Sequence, residues 1–85
     1  MTTKVGLHPH AKARLQERGA TEDEVNATIG RGERFSAKHG RTGFCCNFPF
    51  DREWNNRRYS TKQVEAYAVE EEDGWLVITV IVKFF

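Results

Sequence analysis

The eleven residues Trp75 to Phe85 constrain this chain most. Leu76, Ile78, Val80, Val82 and Phe84 fall on one side of an extended strand. Trp75, Val77, Thr79, Ile81, Lys83 and Phe85 fall on the other, and both sides are largely apolar. Such a strand has to be flanked and covered, so it predicts a central strand. Asp73-Gly74 just before it is a hairpin signal, which pairs it with a strand over Gln63 to Val69.

The N-terminal third has a different period. Pro9 suits a first helical turn and Gly19 a left-handed C-terminal cap, so residues 9–18 read as a helix with Ala11 and Leu15 inward. Thr21 and Glu24 form a capping box that opens a second helix over 22–31. There Val25 and Ile29 face the core as an i, i+4 pair. Gly32 ends that helix, and residues 33–39 read as a short strand before a turn at Gly40 to Gly43. Phe44 to Phe50 alternates as a strand with one buried face, Pro49 suiting an edge. Asp51 to Asn56 reads as a polar loop carrying Trp54. The expected fold is α+β: two N-terminal helices packed on a three- to four-stranded, mainly antiparallel sheet, ααβββ(β), in a single domain over residues 1–85. Its open face is the natural place for a partner.

Lys and Arg number 13 against 12 Asp and Glu, a net charge of +1. This excludes a chain that is strongly basic throughout. The charges are uneven, however. Residues 1–62 carry twelve cations against seven acids, and the run Glu70 to Asp73 reads as a solvated hairpin tip. No apolar run approaches the ~20 residues of a membrane span. Met1 to Gly6 shows no apolar leader. Cys45 and Cys46 are adjacent and cannot form a disulfide framework, so a reduced, cytoplasmic setting is expected. Cys46 shares the alternation of Phe44, Phe48 and Phe50 and is assigned to the core, with Cys45 on the other face.

Three groups of residues are candidates for chemistry. His10, Arg14 and Arg18 lie at i, i+4 and i+8 on the first helix, a stripe suited to oxyanions. The competing reading is that they cap, pair with acids and hold the helix to the sheet. Arg52, Arg57, Arg58 and Lys62 interleave with Trp54 and Tyr59. Arg31, Arg34, Lys38, His39 and Arg41 surround the first predicted strand. Cations beside aromatic rings are what single-stranded RNA needs. From these groups, Arg41, Arg57, Arg58, Tyr59 and Lys62 are the nucleic-acid-binding candidates; ordinary solubilising charge is the alternative. Lys83 interrupts an apolar strand and either snorkels or places an ammonium on the open face. An RNA-cleaving site would combine such cations with a near-neutral base, for which His10 is the candidate. No Cys-x-x-Cys or His-x₃-His spacing points to a metal, and no cofactor is implied.

The pattern His10-Ala11-x-x-Arg14-x-x-x-Arg18-Gly19, followed by Val25, resembles a bacterial family of domains of unknown function. The ending Val77 to Lys83 resembles that family's last strand, and the likeness runs along nearly the whole chain. The family is distantly similar in fold to RelE/BrnT-type toxins, many of which cleave messenger RNA on or off the ribosome and are neutralised by an antitoxin protein. The resemblance therefore implies a toxin-like RNA endonuclease, with His10, Arg14, Arg18 and Lys83 as candidate catalytic residues. Its expected partners are RNA or the ribosome and a small antitoxin. The alternative is a non-catalytic protein- or nucleic-acid-binding module.

Overall fold

The computed structural model describes residues 4–85; Met1, Thr2 and Thr3, on which the leader-free reading partly rests, lie outside them. Both helices form where local signals place them. The first, α1 (Pro9–Arg18), starts with Pro9 at its N-terminus. It ends at Gly19 with φ 80°, whose N–H returns to the carbonyls of Leu15 and Gln16. The second, α2 (Glu22–Arg31), carries the complete capping box. Thr21 Oγ1 accepts from the Glu24 N–H at 3.1 Å, and Glu24 Oε1 accepts from the Thr21 N–H at 3.0 Å.

Five strands make one mixed sheet: β1 (Lys4–Leu7), β2 (Glu33–Ser36), β3 (Thr42–Trp54), β4 (Arg57–Glu71) and β5 (Gly74–Phe84). Their order is β1-β5-β4-β3-β2. The sheet therefore has one strand more than the largest number expected. The extra strand precedes the helices and runs parallel to β5, with Val5 opposite Trp75. The remaining pairings are antiparallel. As expected, β5 is interior over its first half, between β1 and β4.

The polar segment Asp51 to Asn56 is corrected from a loop to the outer part of a long hairpin. A register shift between Pro49 and Arg52 carries β3 on to Trp54. Asn55 (φ 52°) and Asn56 (φ 67°) then make the turn. Two central residues of positive φ match the twist of a two-residue hairpin. The strand β4 accordingly begins at Arg57, not Gln63.

A second correction concerns β5. Its register with β4 slips between Tyr67 and Ala68, leaving Ile78 as an extra residue. A bulge exchanges the two faces of a strand. Trp75, Val77 and Val80 are therefore buried together, whereas Leu76 and Ile78 leave the face that holds Val80 and Val82.

The helices cover one face, α1 along β5 and α2 over β3 and β4. Leu15, Ala20, Val25 and Ile29 meet Phe44, Val64, Ala66, Ala68, Trp75, Val77 and Val80. Ala66 and Ala68 are small, and rings from the strands on either side meet above them. Phe44 and Trp75 stand edge to face, centroids 5.0 Å apart. Farther along, Phe84 stacks on Trp54 at 5.1 Å and touches Phe50 and Tyr59. Gly19 is tight against this cluster, since a β-carbon there would come 2.9 Å from the Trp54 ring. Cys46 is half-buried beside this core rather than within it, and both cysteines are free. Among the described residues, no helix is long and apolar enough to cross a membrane.

Candidate nucleic-acid interface

The four residues assigned to catalysis do not share one surface. His10 and Arg14 are exposed on α1. The His10 N–H donates to Nδ1 of the capping His8 at 3.2 Å, and Arg14 pairs with Glu17 at 3.7 Å. Arg18 turns inward, and its guanidinium donates to the Val80 carbonyl. That carbonyl lies on the β5 edge beyond the reach of β1, so Arg18 covers an open strand edge. Lys83 points to the opposite face of the sheet, where it pairs with Glu65 at 3.6 Å. The structural reading of the stripe holds for Arg18, while His10 and Arg14 remain available to solvent.

The nucleic-acid-binding candidates also separate. Lys62 differs most from expectation: it is 4% exposed and forms part of the interior. Its ammonium donates to the Gly19 carbonyl at 2.9 Å, pairs with Glu24 at 2.8 Å and lies over the Phe50 ring. An ammonium held by these groups is not available to a phosphate. Arg58 pairs with Asp51 at 3.2 Å on the outer hairpin. Arg57 lies over Tyr59, 5.9 Å from the ring centroid, and Tyr59 is half-buried against Phe84. Arg41 stands apart from all of these, at the start of β3.

Around Arg41 the open face acquires a built corner. Phe35 on β2 lies opposite Gly43 on β3, and Gly43 opposite Tyr67 on β4. Gly43 has no side chain, and a β-carbon there would run into the Phe35 ring. The ring therefore lies down across the sheet and meets Tyr67 edge to face at 5.9 Å. Phe35 remains 37% exposed, an apolar surface left open to solvent. The loop beside it turns through a short 3₁₀ segment, Lys38–Gly40, in which His39 (φ 62°) and Gly40 (φ 70°) are both left-handed. A cleft of about 370 Å³ results, lined by Phe35, Ser36, Ala37, Lys38, His39, Arg41 and Tyr67. Neither Lys38 nor Arg41 takes part in an ion pair among the described residues. Of the cations grouped around the first predicted strand, only Lys38, His39 and Arg41 line this cleft, whereas Arg31 lies over Phe48 and Arg34 over Phe44 and Trp75; Phe35 and Tyr67, far apart in the chain, were missed. The glycine at 43, opposite both, is the signal that joins them.

Beyond this corner the open face carries Glu33 and the Glu65–Lys83 pair. Cys45 lies between Glu33 and Glu65 in register. Desolvation first, then Glu65, Glu33 and Cys46, push its thiol above the ordinary value of 9.0, with Lys83 opposing. Desolvation likewise raises the Tyr67 phenol, helped by Glu65, whose carboxylate accepts its hydroxyl at 3.5 Å. Cys45 is therefore set against nucleophilic work. Glu65→Gln is expected to speed alkylation of Cys45 by iodoacetamide at pH 8, and an unchanged rate at that residue would refute the assignment. Both groups bind their protons more tightly in the folded state. Their contribution to stability is thus complete below the unfolded values and lost as pH rises through the raised ones. Among the described residues, no three His, Cys, Asp or Glu side chains are grouped to hold a metal ion.

No protein family, curated protein or solved structure matches this chain. The case for a binding surface therefore rests on the fold and its side chains.

Proposed function

We propose that this protein is a nucleic-acid-binding module that takes a short single-stranded RNA segment at the Phe35–Tyr67 corner of its open face. The observation that carries the reading is the cleft itself. It sets an exposed ring beside Lys38, His39 and Arg41, with no carboxylate among the described residues paired to either Lys38 or Arg41. A base stacks on the Phe35 face, which contributes about 1–3 kcal/mol per base in proteins of this kind. The flanking phosphates meet Arg41 and Lys38. RNA is preferred to DNA through the resemblance carried by His10, Arg14 and Arg18. A reduced cytoplasmic setting fits the two free cysteines.

Cleavage is the second expectation from the same resemblance. The division of His10 and Arg14 from Lys83 by the thickness of the sheet favours binding without turnover by that set. An antitoxin partner belongs with the cleavage reading.

The test is fluorescence anisotropy with a labelled RNA dodecamer, with the same samples run on a denaturing gel. Phe35→Ala is expected to weaken binding about tenfold. Lys38→Ala/Arg41→Ala is expected to reduce the salt slope by about 1.4, two phosphates at ~0.7 each. Intact RNA on the gel supports the module, whereas fragments lost in His10→Ala would replace it with an endonuclease. No binding at low salt, or binding indifferent to both variants, overturns the proposal.

A further inference from the structure

A second cleft, of about 450 Å³, opens on the helix side between α2, β1, β2 and the start of β5. Its lining is Val5, Asn26, Ile29, Gly30, Arg34 and Trp75. Arg34 lies opposite Phe44 in register and points to the helix-covered face. Its guanidinium carbon is 5.3 Å from the Phe44 centroid and 5.1 Å from that of Trp75. These two rings are buried and locked edge to face, so the fork rests on a rigid aromatic seat. No ion pair among the described residues uses Arg34. A seated guanidinium is an oriented pair of donors for a planar oxyanion.

The surroundings select the ligand. Trp75 and Ile29, each 8% exposed, and the half-buried Val5 supply a small apolar wall, and Asn26 and the Arg34 fork make the rest of the lining polar. Asn26, Ile29 and Gly30 belong to the last two turns of α2, where the carbonyl end of the helix carries negative partial charge. One guanidinium beside a helix C-terminus balances a single negative charge and disfavours a dianion. Gly30 leaves the wall open: a β-carbon there would meet nothing within 4 Å.

We propose that this cleft binds a monocarboxylate carrying a flat apolar body, with Arg34 holding the carboxylate and Trp75, Ile29 and Val5 holding the body. The carboxylate belongs either to a free small acid or to the C-terminus of a peptide ending in an aromatic residue.

The probe is 2-naphthoate, titrated into ¹⁵N-labelled protein and followed by ¹H–¹⁵N spectra. Saturable shifts are expected at Val5, Ile29 and the Trp75 indole, with neutral 2-naphthamide causing none. Arg34→Gln and Gly30→Phe are each expected to weaken binding about tenfold or more. The first removes the fork and the second fills the space, and both positions are exposed, so well-dispersed spectra should persist. A Gly-Gly-Phe peptide binding more tightly than naphthoate, and losing its binding on amidation, assigns the site to a chain terminus. Tighter binding of naphthoate assigns it to a free acid. Equal binding of the amide, or absence of shifts at the three cleft residues, overturns the proposal.

Discussion

Glu24→Ala is expected to lower the unfolding free energy by about 3–5 kcal/mol, the loss typical of removing one partner from a buried ion pair. Lys62 and Glu24 carry side-chain exposures of only 5% and 21%. Truncating Glu24 leaves the ammonium beneath α1 and α2 with the Gly19 carbonyl and the Phe50 ring as its neighbours. It also removes half of the capping box that starts α2. For a domain whose total stability is on the order of 5–10 kcal/mol, such a loss unfolds a large fraction of the chains at moderate temperature. The double variant Glu24→Gln/Lys62→Met separates the charge effect from the cap. Gln still reaches back to the Thr21 N–H, and Met fills the place of the lysine stem without a charge. Urea unfolding of the set should show the double variant recovering most of the loss. A Glu24→Ala cost below about 1 kcal/mol, the range of an exposed pair, would show that the Lys62 ammonium escapes to water. Additive losses would show that the two side chains do not act together.

The Lys62–Glu24 pair also shows where sequence reasoning stops. Lysine is the residue least expected in an interior, so Arg57, Arg58 and Lys62 read naturally as one basic patch. Glu24 was already accounted for by its cap. Nothing local connects residues 38 positions apart. The helices, by contrast, were legible to the residue, because Pro9, Gly19, Thr21 and Glu24 act within one turn of where they stand. The sheet was legible in outline where alternation met a turn signal, although the hairpin expected at Asp73-Gly74 turns through Glu72 and Asp73, with Gly74 already in β5 opposite Glu71. It was not legible at Lys4 to Leu7, whose parallel pairing with β5 is a long-range contact without a local signature. Nor was the Ile78 bulge visible, since a strand apolar on both sides keeps no record of its phase. The outer hairpin, rich in charge, read as loop because Asp51 to Trp54 alternate in no apolar sense.

The site divides in the same way. Charge alone marked residues 31–41 as basic but did not show that Lys38, His39 and Arg41 part from Arg31 and Arg34, which lie over Phe48, Phe44 and Trp75. The cleft was not legible, because it needs Phe35, Gly43 and Tyr67 in one row of the sheet, and rows are fixed by register.

Phe44→Ala is the second substitution of large effect, expected to cost about 3–5 kcal/mol as a buried aromatic lost to a cavity. Phe44 is 1% exposed. Its ring bridges three strands: it stands on β3, passes over the alanines of β4 and meets Trp75 of β5. Those alanines cannot grow to fill the gap. The helices above are held by their own caps, so the site collapses poorly. Phe44→Leu retains much of the volume and should cost about 1–2 kcal/mol, since a branched aliphatic fills the space but loses the edge-to-face contact. Denaturant midpoints of the two variants measure this difference, and equal costs would mean that the ring contact contributes nothing beyond its area. The same pair also reports on the Arg34 seat. With Phe44→Leu the fold persists but the guanidinium loses one of its two rings. Naphthoate affinity should then fall while the RNA affinity of the Phe35–Tyr67 corner stays unchanged. A parallel fall in both would tie the two clefts to a common loss of structure rather than to separate sites.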